Sequence, residues 1–500
     1  MPQISELPNS LALVAAVFKE QGYQVKGVVN TFKESLEIED FLAEADAYKP
    51  DVVGISMLTM QVCKTYALIG ELKKRGYPVI VGGTHATACD IEVVDYGADV
   101  VVRNEGEETL RCLLRGDDKQ DILGITYRAA DGSIVRNPPR SRVADLACLP
   151  TPDFTPFDIT LFDHHGFPKG MHRIFTSRGC PGSCTFCDSR VFGKKVTYMP
   201  IKTVMDEIRR RSELYGIRQF VVDDDCFTVR RKHVAEFCEE IQKITPKITW
   251  QMEGRVDMMT PPMAKMLKDA GCYQVTFGIE SGDDETLRRT KKGVTVAQNI
   301  RAAKMAHDAG LLVDAYIMFG FPWETVRSLD NTLNMIHELW DTVHLFNGSG
   351  SLTPFPGTEL YNEYAEGCGF RGYWLNPRYQ DCGQSLYQNA ANPYAVSTLS
   401  QRYLYDDTYI QEGFFFKYTP EFTAKMAEVA YEIGRHNLES MYPGRVIKQK
   451  AVMAACTASR AVYSLFPNLE KGIGKMLLPK TRPAIEERRF DERGNINAKG

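Results

Sequence analysis

The chain has 500 residues, 44% of them apolar and 25% charged, with a formal net charge of −4. That composition fits a soluble globular protein of about three domains, at roughly 150 residues each, and excludes the strongly basic balance typical of nucleic-acid binders. The opening residues, MPQISELPNS, lack a basic segment followed by an apolar one, and no apolar run approaches the roughly 20 residues of a membrane span. A cytoplasmic chain with no transmembrane segment and no nucleic-acid partner is expected.

Residues 10–110 alternate helical patterns with short apolar runs. NSLALVAAVFKEQGY reads as an amphipathic helix capped by Asn9, QVKGVV as a strand and IEDFLAEADAY as a helix. DVVGISML is a strand, TYALIGELKKRG a helix ending at Gly76, and PVIVGG and ADVVVRNEG further strands. Such alternation implies βαβ units and a parallel, doubly wound sheet. The pattern opens on a helix, although doubly wound domains begin with a strand that lies inside the sheet. An inner strand is therefore missing from residues 1–145, which would leave unpaired backbone groups at a sheet edge. ITYRAADGSIVRNPPR reads as a hairpin around Asp131 and Gly132. Residues 146–170, with LPTPDFTPFD, form a Pro-rich linker.

A second αβ run fills 171–365. Its strands are HRIFTSRG, RQFVVDDD, ITWQMEGRV, QVTFGIESG, LLVDAYIMFGFP and VHLFNGSGSLTPFPG, separated by five helical patterns. Six repeats suggest a partial or whole βα barrel with its site at the C-terminal strand ends. Residues 366–480 turn helical and irregular, with Tyr and Phe clusters that line a substrate site or fill a core. Residues 481–500 form a charged tail.

Of 13 cysteines, ten are scattered and three fall in CPGSCTFC as Cys180, Cys184 and Cys187. An odd count without a secretion signal argues for reduced thiols rather than a disulfide framework. A structural zinc site needs four ligands, usually in two spaced pairs, and only the solitary Cys226 is offered as a fourth. A four-iron cluster held by three cysteines fits better, because it leaves one iron open for chemistry. Gly179 and Gly182 allow the chain to wrap such a cluster closely.

With its aromatic residue before the last cysteine, CPGSCTFC resembles the cluster motif of radical S-adenosylmethionine (SAM) enzymes. GIESG (278–282), GFPWET (320–325), TPFPGT (353–358) and Arg255 in EGRVD are similar to segments that follow in the same order in that family; Trp323 stands where the family usually has Gly. The resemblance implies a [4Fe-4S] cluster on the three cysteines, and SAM contacts by Phe186, Arg255, Gly278, Glu280, Ser281, Gly320, Pro322 and Glu324. Arg255 would pair with the SAM carboxylate, Glu280 and Glu324 with its ribose hydroxyls and charge, and Phe186 would pack on the adenine. Taken singly, Glu280 reads equally as a helix cap, Arg255 as an ion pair and Gly320–Pro322 as a turn. Asp223–Asp225 ends the second strand; such a run usually caps a helix or lies in solvent, and the resemblance makes Asp224 a candidate SAM or substrate contact.

VIVGGTHATA (79–88) and RNEGEETL (103–110) resemble the cobalamin-binding domain that precedes the barrel in one large subgroup, with Asn104 in place of the usual Gly. This implies cobalamin contacts by Gly82, Gly83, Thr84, Glu105, Gly106 and Glu107. His85 either touches the corrin or is an ordinary loop histidine. No D-x-H-x-x-G sequence supplies a lower histidine ligand, and Met57–Met60 lies where the lower corrin face is expected.

The whole implies an α/β enzyme: a Rossmann-like cobalamin-binding domain, a partial (βα)6 radical SAM barrel and a helical C-terminal region. Its expected reaction is methylation of an unactivated carbon in a small-molecule or natural-product substrate. Its electrons would come from a flavodoxin- or ferredoxin-like donor. The runner-up is oxidative cyclisation or rearrangement, as in the Mg-protoporphyrin ester cyclases. From another class comes a non-catalytic iron–sulfur electron carrier. The apolar, basic stretch 464–480 either docks on the barrel or touches a membrane surface.

Overall fold

The computed structural model describes residues 7–31, 36–162, 172–188, 191–347, 352–375, 415–416 and 418–441. The segment 464–480, the charged tail and most of the Tyr/Phe clusters after 375 lie outside the described residues.

Three short apolar runs form the parallel part of the N-terminal sheet: β1 (Val53–Ser56), β2 (Val79–Gly82) and β3 (Val100–Val102). Val53 pairs with Val79 and Ile80 with Val100. The hairpin around Asp131–Gly132 adds β4 (Ile125–Arg128), antiparallel to β3, and β5 (Ile134–Arg136), giving the order β1-β2-β3-β4-β5. Helices α1 (Asn9–Glu20), α2 (Ile38–Tyr48), α3 (Val62–Lys74), the short α4 (Thr84–Ala88) and α5 (Asp90–Asp95), and α6 (Glu107–Arg115) surround it. Val79, Val81 and Val101 are fully buried beneath Ile69 and Val93, as a parallel sheet covered on both faces requires.

Two sequence expectations fail here. QVKGVV (24–29) joins no sheet, and its Gly27 N–H donates to Pro156 O at 3.0 Å. In a 2-1-3-4-5 order this segment would pair with the inner first strand, and among the described residues no strand precedes β1, so QVKGVV has no partner. β1 becomes the edge, with Gly54 and Ser56 exposed, and its four-residue length limits what the edge presents. Asn9 is not the cap of α1; its side-chain oxygen accepts from Arg211 Nη2 at 3.0 Å.

The second sheet has six parallel strands in the order β13-β12-β11-β10-β9-β6. These are β6 (His172–Ile174), β9 (Gln219–Val222), β10 (Thr249–Gly254), β11 (Cys272–Glu280), β12 (Leu312–Ile317) and β13 (Leu345–Asn347); β7 (Ser177–Arg178) and β8 (Thr197–Tyr198) form a small ribbon beside them. Successive strands are neighbours, which makes an open half-barrel. The crossovers are α7 (Ile201–Tyr215), α8 (Arg231–Ile241), α9 (Pro261–Asp269), α10 (Asp284–Arg289) with α11 (Val296–Asp308), and α12 (Val326–Glu338). Thr260, Thr295 and Thr325 each accept a backbone N–H three residues on, starting α9, α11 and α12. Trp250, Phe220, Phe227 and Phe237 are fully buried behind the sheet, each adding about 1.5–3 kcal/mol of burial.

α13 (Glu359–Tyr364) follows β13, and α14 (Pro420–Met441) closes the barrel edge. The Asn437 amide donates to Phe346 O at 2.8 Å and accepts from Phe346 N–H at 2.9 Å. A side chain thereby completes the hydrogen bonding of edge strand β13. Among the described residues no helix is long and apolar enough to cross a membrane.

Candidate cluster and cofactor site

The three cysteines follow the first barrel strand, at its C-terminal end. The turn that delivers them is held from several sides. Asp224 accepts from Thr176 N–H at 2.6 Å, Ser177 N–H at 3.0 Å and Ser177 Oγ at 2.7 Å, and also from Thr176 Oγ1. Asp225 accepts from Gly179 N–H at 2.7 Å. The Asp224 oxygens are therefore spent on the cluster turn and not turned to SAM or substrate, a correction to the sequence reading. Burial pushes the Asp224 carboxyl up to about 6, against those hydrogen bonds. Gly179 has φ 99°, and a Cβ there would lie 2.5 Å from Lys195 O, so only glycine fits.

Cys180 N–H donates to Gly193 O at 3.1 Å, and Thr185 N–H to Thr290 O at 2.9 Å, which pins the loop on both sides. Cys180, Cys184 and Cys187 are each half-buried. Among the described residues no three Cys, His, Asp or Glu side chains converge on one ion. A tetrahedral zinc site would need such convergence, whereas a four-iron cluster holds its thiolates several ångströms apart. The Cys226 thiol hydrogen-bonds to Cys180, and with the Gly182 N–H and the Arg255 guanidinium it pulls the Cys180 thiol below its ordinary range. Burial pushes Cys184 up.

Beside the cysteines, Arg255 Nε and Nη2 each lie 3.0 Å from Asp257. Its Nη1 is aimed at Gly182, where a Cβ would be 3.5 Å away and 3.3 Å from Cys180 Sγ. Glu280 sits at a register shift at the end of β11, with φ 64°, a left-handed conformation that a non-glycine residue holds only under strain. Its carboxylate lies across Gly278 to accept from Lys292 Nζ at 2.7 Å. Burial works against the Lys292 charge, but Glu280 and the Cys184 thiol outweigh it and hold Lys292 above its ordinary value. Ser281 is buried against Thr332.

Glu324 Oε2 accepts from Gly320 N–H at 2.7 Å and Phe321 N–H at 3.0 Å, leaving Oε1 buried without a partner. Burial pushes this carboxyl up to about 8. Phe186 packs on Phe321 at 5.9 Å, and Phe321 stacks on Trp323 at 5.3 Å, so the unusual Trp323 extends an aromatic wall. Pro322 lies between them, half-buried. The structure thus gathers Phe186, Arg255, Gly278, Glu280, Gly320 and Glu324 around the cluster loop. Sequence reasoning missed Lys292, which looks like a solvated turn lysine in TKKG, and Asp257, two residues beyond Arg255.

In the N-terminal domain the expected cobalamin residues divide. Gly82, Gly83 and Thr84 lie at the C-terminal end of β2, beside Met57–Met60 at the end of β1. Leu58 is 47% exposed there, an apolar side chain turned outward at the crevice where open α/β sheets bind ligands. That suits the face of a corrin. Gly83, with φ 103°, serves its own domain first: a Cβ would lie 2.6 Å from Met57 O. His85 is not a surface histidine. It is fully buried, with Nδ1 3.2 Å from Thr59 Oγ1 and Nε2 3.6 Å from Glu92. Glu105 Oε1 and Glu107 Oε1 each lie 2.7 Å from Arg178, so both residues grip the cluster turn; Glu105 Oε2 accepts from Val143 N–H, while Glu107 Oε2 is buried without a partner. Gly106 precedes α6, where a Cβ would press on Val102 at 3.2 Å.

A parallel half-barrel with three thiols at its C-terminal mouth, preceded by an open α/β sheet, is an arrangement shared with known proteins. Residues 174–336 match the Radical SAM superfamily and residues 6–114 the B12 binding domain. An uncharacterized methyltransferase of Pyrococcus horikoshii is 31% identical over 72% of this chain and 78% of its own length. An anaerobic magnesium-protoporphyrin IX monomethyl ester cyclase of Rubrivivax gelatinosus is 27% identical over 72% of this chain and 66% of its own. The structure of the radical SAM methyltransferase TsrM from Kitasatospora setae, with cobalamin and a [4Fe-4S] cluster bound, shares the fold at a TM-score of 0.60, with 21% identity over 73% of each chain. The chain belongs to the cobalamin-binding radical SAM enzymes, whose cofactors are a [4Fe-4S] cluster, SAM and cobalamin.

Proposed function

We propose that this enzyme methylates an unactivated carbon of a small-molecule substrate. The observation that carries the reading is the cluster turn: Arg178, at its start, is bound by the N-terminal domain through Glu105 and Glu107. The cluster turn is thereby tied to the N-terminal domain, which supports a reading in which radical and methyl group meet between the two.

When bound, the cluster, SAM and cobalamin supply the electron, the radical and the methyl group. Cys180, Cys184 and Cys187 would hold the cluster. Arg255, through the Nη1 not given to Asp257, takes the SAM carboxylate. Glu280, held by Lys292, offers its remaining acceptor capacity to the SAM amino group or ribose. The orphaned Glu324 Oε1 is a further hydrogen-bonding group for the ribose hydroxyls. Phe186, Phe321 and Trp323 exclude water from the cleft and offer a face for the adenine. Leu58, Met60, Gly82 and Thr84 would border the corrin. Kinship with a methyltransferase favours methyl transfer, and kinship with a cyclase keeps oxidative cyclisation as the second reading.

The test is anaerobic reconstitution with iron, sulfide and hydroxocobalamin, followed by removal of excess corrin and reaction with methyl-deuterated SAM under reducing conditions. Retained corrin, a four-iron EPR signal, 5′-deoxyadenosine and a deuterated product support methylation. A product without the labelled methyl group supports cyclisation or rearrangement. No 5′-deoxyadenosine leaves only an electron carrier.

A further inference from the structure

The half-barrel sheet has two faces of opposite character. On the outer face Met252, Val275, Phe277, Val313, Ala315 and Ile317 are buried under the crossover helices. The residues that alternate with them along β10, β11 and β12 turn to the inner, concave face, as the strand period of two requires, and these are mostly polar. The register sets them in rows. Glu253, Thr276 and Asp314 are neighbours in one row, and Gly278, Tyr316 and Asn347 in the next. The second row belongs to the cofactor site, because the Glu280 carboxylate and the Lys292 ammonium lie over Gly278. The first row is two residues, about 6.5 Å, deeper in the barrel.

Between the rows Tyr316 Oη donates to Glu253 Oε1 at 3.0 Å, reaching across β11. The acidic side chains nearby are already partnered. Asp314 accepts from Gln274 Nε2 at 2.8 Å and lies 3.3 Å from His344 Nδ1; Asp223, beside Glu253 in register, pairs with Arg173. Glu253 is different: it is exposed on the inner face and forms no ion pair among the described residues. Tyr316 is 39% exposed beside it. An uncharged apolar molecule seated here would strip water from the Glu253 carboxylate and offer no cation in exchange, which is unfavourable. A protonated amine would replace that water with a charge-assisted hydrogen bond.

We infer that Glu253, positioned by Tyr316, recognises a protonated amine on the substrate, so that the enzyme acts on a polar, amine-bearing molecule and not on an uncharged lipid. This rests on the methylation reading above and names the substrate class for that site. The amine is anchored one row below the Glu280–Lys292 pair, and the carbon to be methylated extends from it towards the cluster loop.

The test dialyses the reconstituted holoenzyme, with SAM, to equilibrium against three dansyl probes of different charge: dansylcadaverine, a cation; dansylamide, neutral; and dansylglycine, an anion. Dansylcadaverine should bind about tenfold or more tighter than the other two, the scale of a hydrogen bond to a charged group. Glu253→Gln should erase that preference while iron content and SAM affinity stay normal, and Tyr316→Phe should reduce it. Equal binding of the three probes, or a preference that survives Glu253→Gln, overturns the amine site; equal binding is also the result if another segment of this chain covers the face. Turnover with methyl-deuterated SAM and a small-molecule extract of the source cells, separated by charge, gives an independent reading. Label in the amine-bearing fraction supports the site, and label in any other fraction overturns it. No 5′-deoxyadenosine with any fraction, beside an intact preference for dansylcadaverine, would sink the methylation reading and leave the amine site standing.

Discussion

Arg178, two residues before the first cluster cysteine, donates through Nη1 to Glu105 Oε1 at 2.7 Å, and both side chains are buried. Glu105 belongs to the N-terminal domain and Arg178 to the barrel, so the ion pair crosses between cofactor sites. Arg178→Met would leave two buried carboxylates uncompensated, at a cost of about 3–5 kcal/mol. We expect a clear fall in thermal midpoint for the cluster-free protein, and lower retention of both iron and corrin after reconstitution. If only iron retention falls, the pair does not link the two sites.

The four sulfurs at the barrel mouth separate cluster chemistry from zinc. Replacing Cys180, Cys184 or Cys187 by Ala should abolish the four-iron EPR signal and 5′-deoxyadenosine formation. Cys226→Ala should keep both, because Cys226 hydrogen-bonds to Cys180 and does not complete a converging set. A Cys226→Ala protein without iron, matched by stoichiometric zinc in the unaltered chain, would mean a four-cysteine metal site instead.

The half-barrel was legible because each of its strands is a local apolar run ending in a turn, and the crossovers from α9 to α12 each start on a capping Thr or Asp. QVKGVV reads as a strand for the same local reason, but a strand also needs a neighbour, and that neighbour is absent from the described sheet. Charged residues were the harder part. Glu105 and Glu107 look like ligand contacts and Lys292 like a solvated turn residue, because their partners Arg178 and Glu280 are remote in the chain or lie across a bulge. Asp224 misled in the same way, since only the fold brings Thr176 and Ser177 against it. The cysteine spacing was readable because its ligand set is nearly contiguous.

Gly278 makes room for the Lys292–Glu280 pair. A Cβ at this position would lie 2.5 Å from Glu280 Oε1 and 2.6 Å from Lys292 Nζ. Gly278→Ala should displace the pair and weaken SAM binding by about tenfold or more, the scale of one charge-assisted contact, while iron content and EPR of the SAM-free cluster stay normal. Equilibrium binding of SAM to the reconstituted variant checks this. Unchanged affinity would remove Glu280 and Lys292 from the SAM site.

Glu324 sets a pH dependence with a definite sign. Its carboxyl is raised from 4.5 to about 8 by burial, so between those values the folded chain binds more protons than the unfolded chain. The neutral form's contribution is complete below the unfolded value and is lost as pH rises through the folded one. Cluster-free protein should therefore lose urea resistance between about pH 6 and about pH 8. Glu324→Gln keeps an acceptor for the Gly320 and Phe321 N–H groups but cannot ionise. It should flatten the slope by up to about 1.4 kcal/mol per pH unit, the limit for one proton. Unfolding midpoints at both pH values, for both proteins, decide the matter; parallel slopes would mean that Glu324 is already ionised in the folded chain.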